Sequence, residues 1–246
     1  MSGIKQGCLL LAAAMLCGIG GAFAQSATVK AHVVIESHKH ASQAPPQDSN
    51  AVVWLTPADG WTDSLPRAVN AGPRPQLVQK NKQFTPHVTA VEVGSVVDFP
   101  NHDPFFHNVF SLFNGKRFDL GLYEAGSTRS VHFDRAGICY IFCNIHPQMS
   151  AIVVVVDTPY FAVTNKLGDV AISNVPPGEY KMGLWDDHCT PEDLKEASRK
   201  VTVGKDTSSL GTIRLQRSRE LVMVHPNKYG RKYDPQVFSS PVYSQP

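Results

Sequence analysis

Three donor side chains follow one another at three-residue intervals: the thiol of Cys143, the imidazole of His146 and the thioether of Met149. A second imidazole, His107, lies upstream in the run Asn101–Phe110. One Cys, two His and a weak axial Met are the ligand set of a blue-copper electron-transfer site. We therefore expect His107, Cys143 and His146 to surround one type 1 copper in a plane, with Met149 as the long axial ligand.

Neighbouring residues have predicted supporting roles. Asn108 directly follows the first ligand, so its backbone or side chain is expected to tie the two ligand segments together and to donate to the Cys143 sulfur. His146 is expected to be the ligand nearest solvent, with Pro147 and Phe105 around it. An apolar rim around an exposed imidazole edge is suited to passing electrons to a partner.

The elements that must position these ligands are predicted to be strands. Helical periodicity is nearly absent, and short β-branched runs are separated by Gly, Pro, Asn and Asp, which is typical of β-sandwiches. The region around the ligands contains seven predicted strands: Leu77–Gln79, Val88–Val93, Val96–Phe99, His107–Leu112, Arg129–Phe133, Ile138–Cys143 and Ala151–Asp157. The one predicted helix follows Thr190, which has the features of an N-cap because Pro191 and two acidic residues come next.

Further strands are predicted on both sides of this region. They are Thr28–Glu36, Ala51–Leu55, Tyr160–Thr164, Val170–Ser173, Tyr180–Trp185, Lys200–Val203 and Thr212–Leu215. The tail, residues 217–246, has no hydrophobic period and is expected to lie over the surface or to be disordered.

The metal-binding stretch resembles a known family. The loop Cys143-x-x-His146-Pro147-x-Met149 is similar to the copper loop of amicyanin, a small blue-copper protein of methylamine oxidation. Other positions resemble those of plastocyanins and amicyanin: Gly137, Phe84-x-Pro86, Val93-Gly94, Val96-x-x-Phe99-x-Asn101 and His107-Asn108-Val109. The resemblance covers about residues 77–157 and implies a cupredoxin, a Greek-key β-sandwich that carries single electrons. Exported bacterial proteins labelled methylamine utilisation or plastocyanin-like resemble the whole arrangement, but that label does not establish a role in amine oxidation.

Cys139 departs from the plastocyanin pattern, which has an aromatic residue at this position. It is expected to be a buried small hydrophobic residue. Two alternatives stay open. Cys139-x-x-x-Cys143 resembles the purple binuclear copper site of oxidase subunit II, although that site has one more residue between its second Cys and its His. The other alternative is a disulfide between Cys139 and Cys189.

The region after the copper-binding segment resembles a second family. Tyr160–Trp185, with its Gly168-Asp169 turn and the run Val175-Pro176-Pro177-Gly178, is similar to transthyretin-like, or carboxypeptidase regulatory-like, domains. Such domains open with two strands, which the N-terminal strands would supply. The predicted organisation is therefore a transthyretin-like sandwich of residues 26–58 plus 158–216, a linker over 59–76 and an inserted cupredoxin over 77–157. A tandem order is the alternative.

The N-terminus has the features of a secretory signal peptide. Lys5 precedes the apolar run Cys8–Ile19, and Ala22-Phe23-Ala24 is a small-residue cleavage site before Gln25. Residues 1–24 are thus predicted to be removed, which leaves an exported, periplasmic protein without a membrane span. Removal takes Lys5 and no acid, so the net charge falls from +2 to +1, a balance that does not favour nucleic acid as a partner.

The expected function is a periplasmic electron carrier whose partners are a dehydrogenase, cytochrome or oxidase, in transient contact. Copper delivery is an alternative, which the pair His38 and His40 favours slightly, and a structural module with incidental copper is another. An enzyme is not expected, because catalytic copper proteins need further His-x-His ligand pairs. Asp186-Asp187-His188-Cys189 could bind a metal, but an exposed loop is the preferred interpretation.

Overall fold

The computed structural model describes residues 26–37, 50–60, 72–112, 115–206, 208–217 and 225–233. The predicted signal peptide lies outside these residues, as do His38, His40 and most of the predicted linker. Among the described residues no helix is long and apolar enough to cross a membrane.

The predicted all-β sandwich fold is confirmed. Sixteen strands and one helix are present among the described residues. In chain order they are β1 Ala27–Ser37, β2 Val52–Pro57, β3 Val78–Lys80, β4 Gln83–Thr85, β5 Val88–Glu92, β6 Val96–Pro100, β7 Val109–Ser111, β8 Phe118–Asp119, β9 Thr128–His132, β10 Gly137–Cys143, β11 Ser150–Val156, β12 Phe161–Val163, β13 Asp169–Val175, β14 Gly178–Trp185, α1 Pro191–Ala197, β15 Arg199–Val203 and β16 Ser208–Arg217.

The strands that carry the predicted ligands belong to a five-stranded sheet in the order β5-β11-β10-β7-β8. Two smaller sheets, β6-β9 and β3-β4, complete this part of the chain. Alternate residues of β11 contact different cores, because successive side chains of a strand point to opposite faces. Val153 and Val155 contact the core that also contains Cys143 and Met149. Ile152 and Val154 contact a second cluster on the opposite face.

The first two strands do not join this sheet. β1 lies between β13 and β16 in one sheet, and β2 lies between β12 and β14 in another, with β15 at its edge. Side chains of β1 contact residues far along the chain: His32 Nδ1 lies 2.8 Å from Asp169 Oδ1, and Arg214 Nη1 lies 2.5 Å from Glu36 Oε1. The two sheets share a core around Val53, Leu55, Ile172, Tyr180 and Met182, among other residues.

A third apolar cluster joins the two groups of sheets. It combines Val88, Ile152, Val154 and Val156 of the ligand-bearing sheet with Val52 and Trp185 of the other group. All six side chains are buried. Every apolar side chain removed from water contributes roughly 1.5–3 kcal/mol, so the cluster fixes the two groups against each other.

The predicted helix is present with its capping chemistry. The Thr190 hydroxyl accepts the backbone N–H of Asp193 at 3.2 Å, and the Asp193 carboxylate accepts the backbone N–H of Thr190 at 3.1 Å. This reciprocal pair satisfies two amide groups that a helix start leaves without intrahelical partners.

Two short strands were not predicted from the sequence: β4 has only three residues and β8 only two.

Candidate metal centre

The two ligand segments meet because β7 and β10 are antiparallel neighbours. Cys143, the last residue of β10, pairs with Val109, the first residue of β7. His107 lies two positions before Val109 and is held by two backbone hydrogen bonds to Tyr123, at 3.1 and 3.0 Å. The structure therefore places His107 just outside the strand that the sequence predicted to begin there.

Backbone hydrogen bonds close the loop between Cys143 and Met149. The Met149 N–H donates to the carbonyl of His146 at 2.9 Å, and the Cys143 N–H donates to the carbonyl of Met149 at 3.3 Å. The Asn144 N–H donates to the carbonyl of Asn108 at 2.9 Å and so links this loop to the other ligand segment. The three predicted ligands of the loop are thus fixed by its own backbone.

Three donor atoms converge between these segments. The Cys143 sulfur lies 3.5 Å from His107 Nδ1 and 3.7 Å from His146 Nδ1, and the two Nδ1 atoms are 3.2 Å apart. Bonds from a first-row ion such as zinc to nitrogen and sulfur are about 2.0 and 2.3 Å long. Donors this close together can all reach one ion, so the residues present fit a bound metal.

Met149 is buried in the same apolar core as Cys143. Its backbone contacts with His146 and Cys143 keep it at the end of the ligand loop. Its role as an axial ligand stays a prediction.

Asn108 has two different roles in the structure. Backbone hydrogen bonding by Asn108, Ile145 and His146 lowers the pKa of the Cys143 thiol, against the larger, opposite effect of burial. The side-chain amide of Asn108 points elsewhere and donates to Asp119 Oδ1 at 2.6 Å and to the carbonyl of Gly121 at 3.0 Å.

Sequence reasoning missed Asp103, which orients the first imidazole. Asp103 Oδ2 lies 2.9 Å from His107 Nε2, and both residues are buried. The carboxylate also accepts the backbone N–H groups of Asn81 and Lys82, at 2.6 and 3.0 Å. Since Nε2 donates to this carboxylate, Nδ1 presents its lone pair to the metal centre. The signal in the sequence was an acidic residue four positions before a ligand His.

Burial sets the protonation of the donors. Burial, with a smaller contribution from the nearby His107, lowers the pKa of His146 to about 4. Burial also lowers the pKa of His107, against the opposing effect of Asp103. Both imidazoles are therefore neutral at neutral pH and able to bind a metal. Burial raises the pKa of the Cys143 thiol, so metal binding must release its proton.

His146 is less accessible than the sequence predicted. It has the largest exposure of the four predicted ligands, but only 4% of its surface is accessible. The Phe105 ring covers both imidazoles, with centroids 5.4 Å from each. Next to it the side chain of Phe106 is 51% exposed. The surface expected to pass electrons to a partner is thus apolar and lies over a buried imidazole.

Part of the predicted tail crosses the ligand loop. Residues 225–233, here termed the strap, contact both ends of the loop. His225 Nε2 donates to the carbonyl of Pro147 at 2.8 Å, and the Lys228 N–H donates to Asn144 Oδ1 at 3.0 Å. The Tyr233 hydroxyl donates to the carbonyl of Cys143 at 3.3 Å. This contact was not foreseen from the sequence, because no motif marks it.

Cys139 and Cys189 are both free buried thiols, so the disulfide between them is absent from the structure. They lie in different cores, Cys139 in the core that contains Met149 and Cys189 in the core that contains Tyr180. Among the described residues, the donor group around Cys143 contains His107 and His146 but not Cys139. Three residues lie between Cys139 and Cys143 in β10, which places their Cα atoms about 13 Å apart. The Cys139 sulfur instead accepts the backbone N–H of Lys116 at 2.9 Å.

Comparisons with known proteins give structural neighbours only. No family model matches the chain, and no curated protein matches it. A purple cupredoxin from Nitrosopumilus maritimus is 23% identical, with 33% of this chain and 99% of that chain covered and a TM-score of 0.31. A single-residue variant of amicyanin in its reduced state is 21% identical, with 39% and 89% covered and a TM-score of 0.32.

A copper-containing nitrite reductase from Thermus scotoductus SA-01 is also similar. It is 21% identical, and its TM-score is 0.33. The match covers 51% of this chain but only 28% of the reductase.

Proposed function

We propose that this protein is a one-electron carrier of the cupredoxin type that binds a single type 1 copper. His107, Cys143 and His146 would hold the copper, with Met149 as a fourth, weaker ligand. The observation that carries the proposal is the convergence of one sulfur and two imidazole nitrogens within 3.7 Å, all from buried side chains.

Bound copper supplies the chemistry that the side chains lack, a reversible change between Cu(I) and Cu(II). The residues of this chain keep the donor positions fixed in both states. Asp103 holds the His107 ring, and the backbone amides of Asn108, Ile145 and His146 favour the thiolate form of Cys143. Hydrogen bonds to a metal-bound thiolate tune its potential.

The surface near His146 supports transfer to a protein partner. Phe105 lies against both imidazoles, and Phe106 and Leu122 are exposed apolar side chains on the neighbouring segments. Leu122 precedes Tyr123, which pairs with His107. We propose that a dehydrogenase, cytochrome or oxidase docks here transiently, in the periplasm, and that the chain is not itself an enzyme.

The pairing of β1 and β2 with strands beyond Asp157 supports a related proposal. Residues 26–58 and 158–216 would form one transthyretin-like sandwich, into which the copper-binding sandwich of residues 77–157 is inserted.

The test is a titration of the chain from Gln25 with Cu(II), followed by visible absorption and electron paramagnetic resonance. A carrier should develop an intense thiolate-to-copper band and a small hyperfine splitting from one copper. Cys143→Ser should lose the band, whereas Cys189→Ser should keep it. Copper that stays colourless and reduced would contradict electron transfer and support copper handling. Splitting shared over two coppers would contradict a single type 1 site.

A further inference from the structure

A second cluster of metal-binding side chains lies where the two groups of sheets meet. Asp186, Asp187 and His188 follow β14, and His87 directly precedes β5 in the ligand-bearing sheet. Among the described residues, two groups of three such side chains have donor atoms that all lie within 4.8 Å of one another. One is the group around Cys143, and the other is Asp186, Asp187 and His188.

The distances bring four side chains together. His188 Nδ1 lies 2.6 Å from Asp187 Oδ1 and 3.3 Å from Asp186 Oδ1. His87 Nε2 lies 3.6 Å from Asp187 Oδ2. His87 thus reaches Asp187 and lies next to the group of three formed by Asp186, Asp187 and His188.

The orientation of His87 is that of a metal ligand. Its Nδ1 lies 3.2 Å from the carbonyl of Ser150, which can only accept a hydrogen bond. Nδ1 therefore carries a proton, and Nε2, which faces Asp187, is the ring atom left to bind a metal in place of its own proton. Imidazole ligands of metals commonly donate their other ring N–H to a backbone carbonyl in this way.

The carboxylate of Asp186 is an independent observation that points to a bound cation. This carboxylate is 1% exposed, and among the described residues Oδ2 has no hydrogen-bond partner. The other oxygen accepts the backbone N–H of His188 at 2.9 Å. A buried carboxylate oxygen without a partner is costly, and a bound cation would satisfy it.

We propose that His87, Asp186, Asp187 and His188 bind a divalent transition-metal ion of the zinc type. Imidazole and carboxylate donors suit such an ion, and four of them match the coordination number of structural zinc. Because His87 comes from one group of sheets and the other three from the second group, the ion would connect the two. The site is separate from the proposed copper centre and contains no sulfur ligand.

The test compares zinc binding by the untagged chain from Gln25 and by its variants, using equilibrium dialysis. Cys143→Ser removes the thiolate of the first centre and should still bind one zinc ion tightly. Adding His87→Gln or His188→Gln to the Cys143→Ser variant should weaken zinc binding by 10-fold or more, because each substitution removes one ligand. His32→Gln is the matched control, since His32 pairs with Asp169 at 2.8 Å on the surface and belongs to neither donor group; it should change nothing.

Two further measurements separate a metal site from a plain ion pair. Excess zinc should raise the thermal midpoint of Cys143→Ser and should not raise that of Cys143→Ser with His188→Gln. Cobalt bound to Cys143→Ser should show visible d–d bands without a thiolate-to-cobalt band. The proposal is overturned if Cys143→Ser binds no zinc, or if His87→Gln and His188→Gln retain full affinity and lower stability equally with and without zinc.

Discussion

At the scale of single residues, Asp103 decides how well His107 can serve as a ligand. Its carboxylate accepts a hydrogen bond from His107 Nε2 and is itself held by two backbone N–H groups. Asp103→Asn replaces the anionic acceptor by an amide and weakens the orientation of the ring. We expect copper affinity to fall about 10- to 100-fold, as for other partners of metal-bound His, in a competition titration against a chelator.

The control for this prediction is Asp134→Asn. Asp134 pairs with Lys116 at 2.8 Å on the surface and lies outside the donor group. An equal loss of affinity in the two variants would show that general charge, and not the hydrogen bond to His107, determines copper binding.

Substitution of Cys139 tests how many copper ions bind at the centre around Cys143. The Cys139 sulfur is buried and accepts the Lys116 N–H. Cys139→Ala should therefore lower the free energy of unfolding by about 1 kcal/mol, a typical effect of a core substitution. It should leave the copper stoichiometry and the hyperfine splitting unchanged. A loss of bound copper in this variant would restore Cys139 as a ligand.

The donor residues could be proposed from the sequence because three of them lie on one short loop with a regular spacing. Asp103 and the burial of His146 could not. The position of Asp103 depends on how residues 102–106 fold around Asn101, whose side-chain amide donates to the carbonyl of Phe105 at 2.8 Å. The environment of His146 depends partly on Phe105 and on the strap, which lies about 80 residues downstream and contacts the adjacent Pro147.

At the scale of elements, the strap adds an outer support to the ligand loop. Its contacts reach the carbonyls of Cys143 and Pro147 and the side chain of Asn144. The His225 ring also stacks on Phe142, with centroids 3.8 Å apart. A chain that ends at Arg217 loses all of these contacts. We expect it to release copper faster than the full chain, as measured by stopped-flow transfer to a chelator.

A matched pair of substitutions isolates one contact of the strap. Tyr233→Phe removes the hydrogen bond to the Cys143 carbonyl and should cost about 1 kcal/mol of unfolding free energy. Tyr229→Phe makes the same chemical change on a ring that is mostly exposed and should cost much less. Equal effects would show that the strap does not stabilise the loop through Tyr233.

The longer strands and the helix were predictable because β-branched runs and capping residues are local signals. The register of β1 against β16 was not, since their pairing is parallel and joins opposite ends of the chain. Two-residue strands such as β8 have no period to detect. They form because a neighbouring strand presents free backbone groups.

At the scale of the molecule, the shared cluster predicts that both groups of sheets unfold together. Ile152 is buried in that cluster, and Ile152→Ala should cost about 2–5 kcal/mol. Amide hydrogen exchange should then accelerate in β10 and β14 alike. Leu167→Ala, at an exposed side chain, is the control. Acceleration confined to β10 would contradict coupling through the cluster.

The pairing of β1 also determines the order in which a newly made chain can fold. Strands β3 to β11 form sheets with one another, so their pairing can begin as soon as they have left the ribosome. β1 must wait, because its contacts with Asp169 and Arg214 span 137 and 178 residues. Until β13 and β16 have been made, β1 lacks both partner strands, and an unpaired strand can pair with another chain and aggregate. The sheet that contains β1 is thus started first and completed last. Its pairing with β13 and β16 is expected to be the slow step of folding.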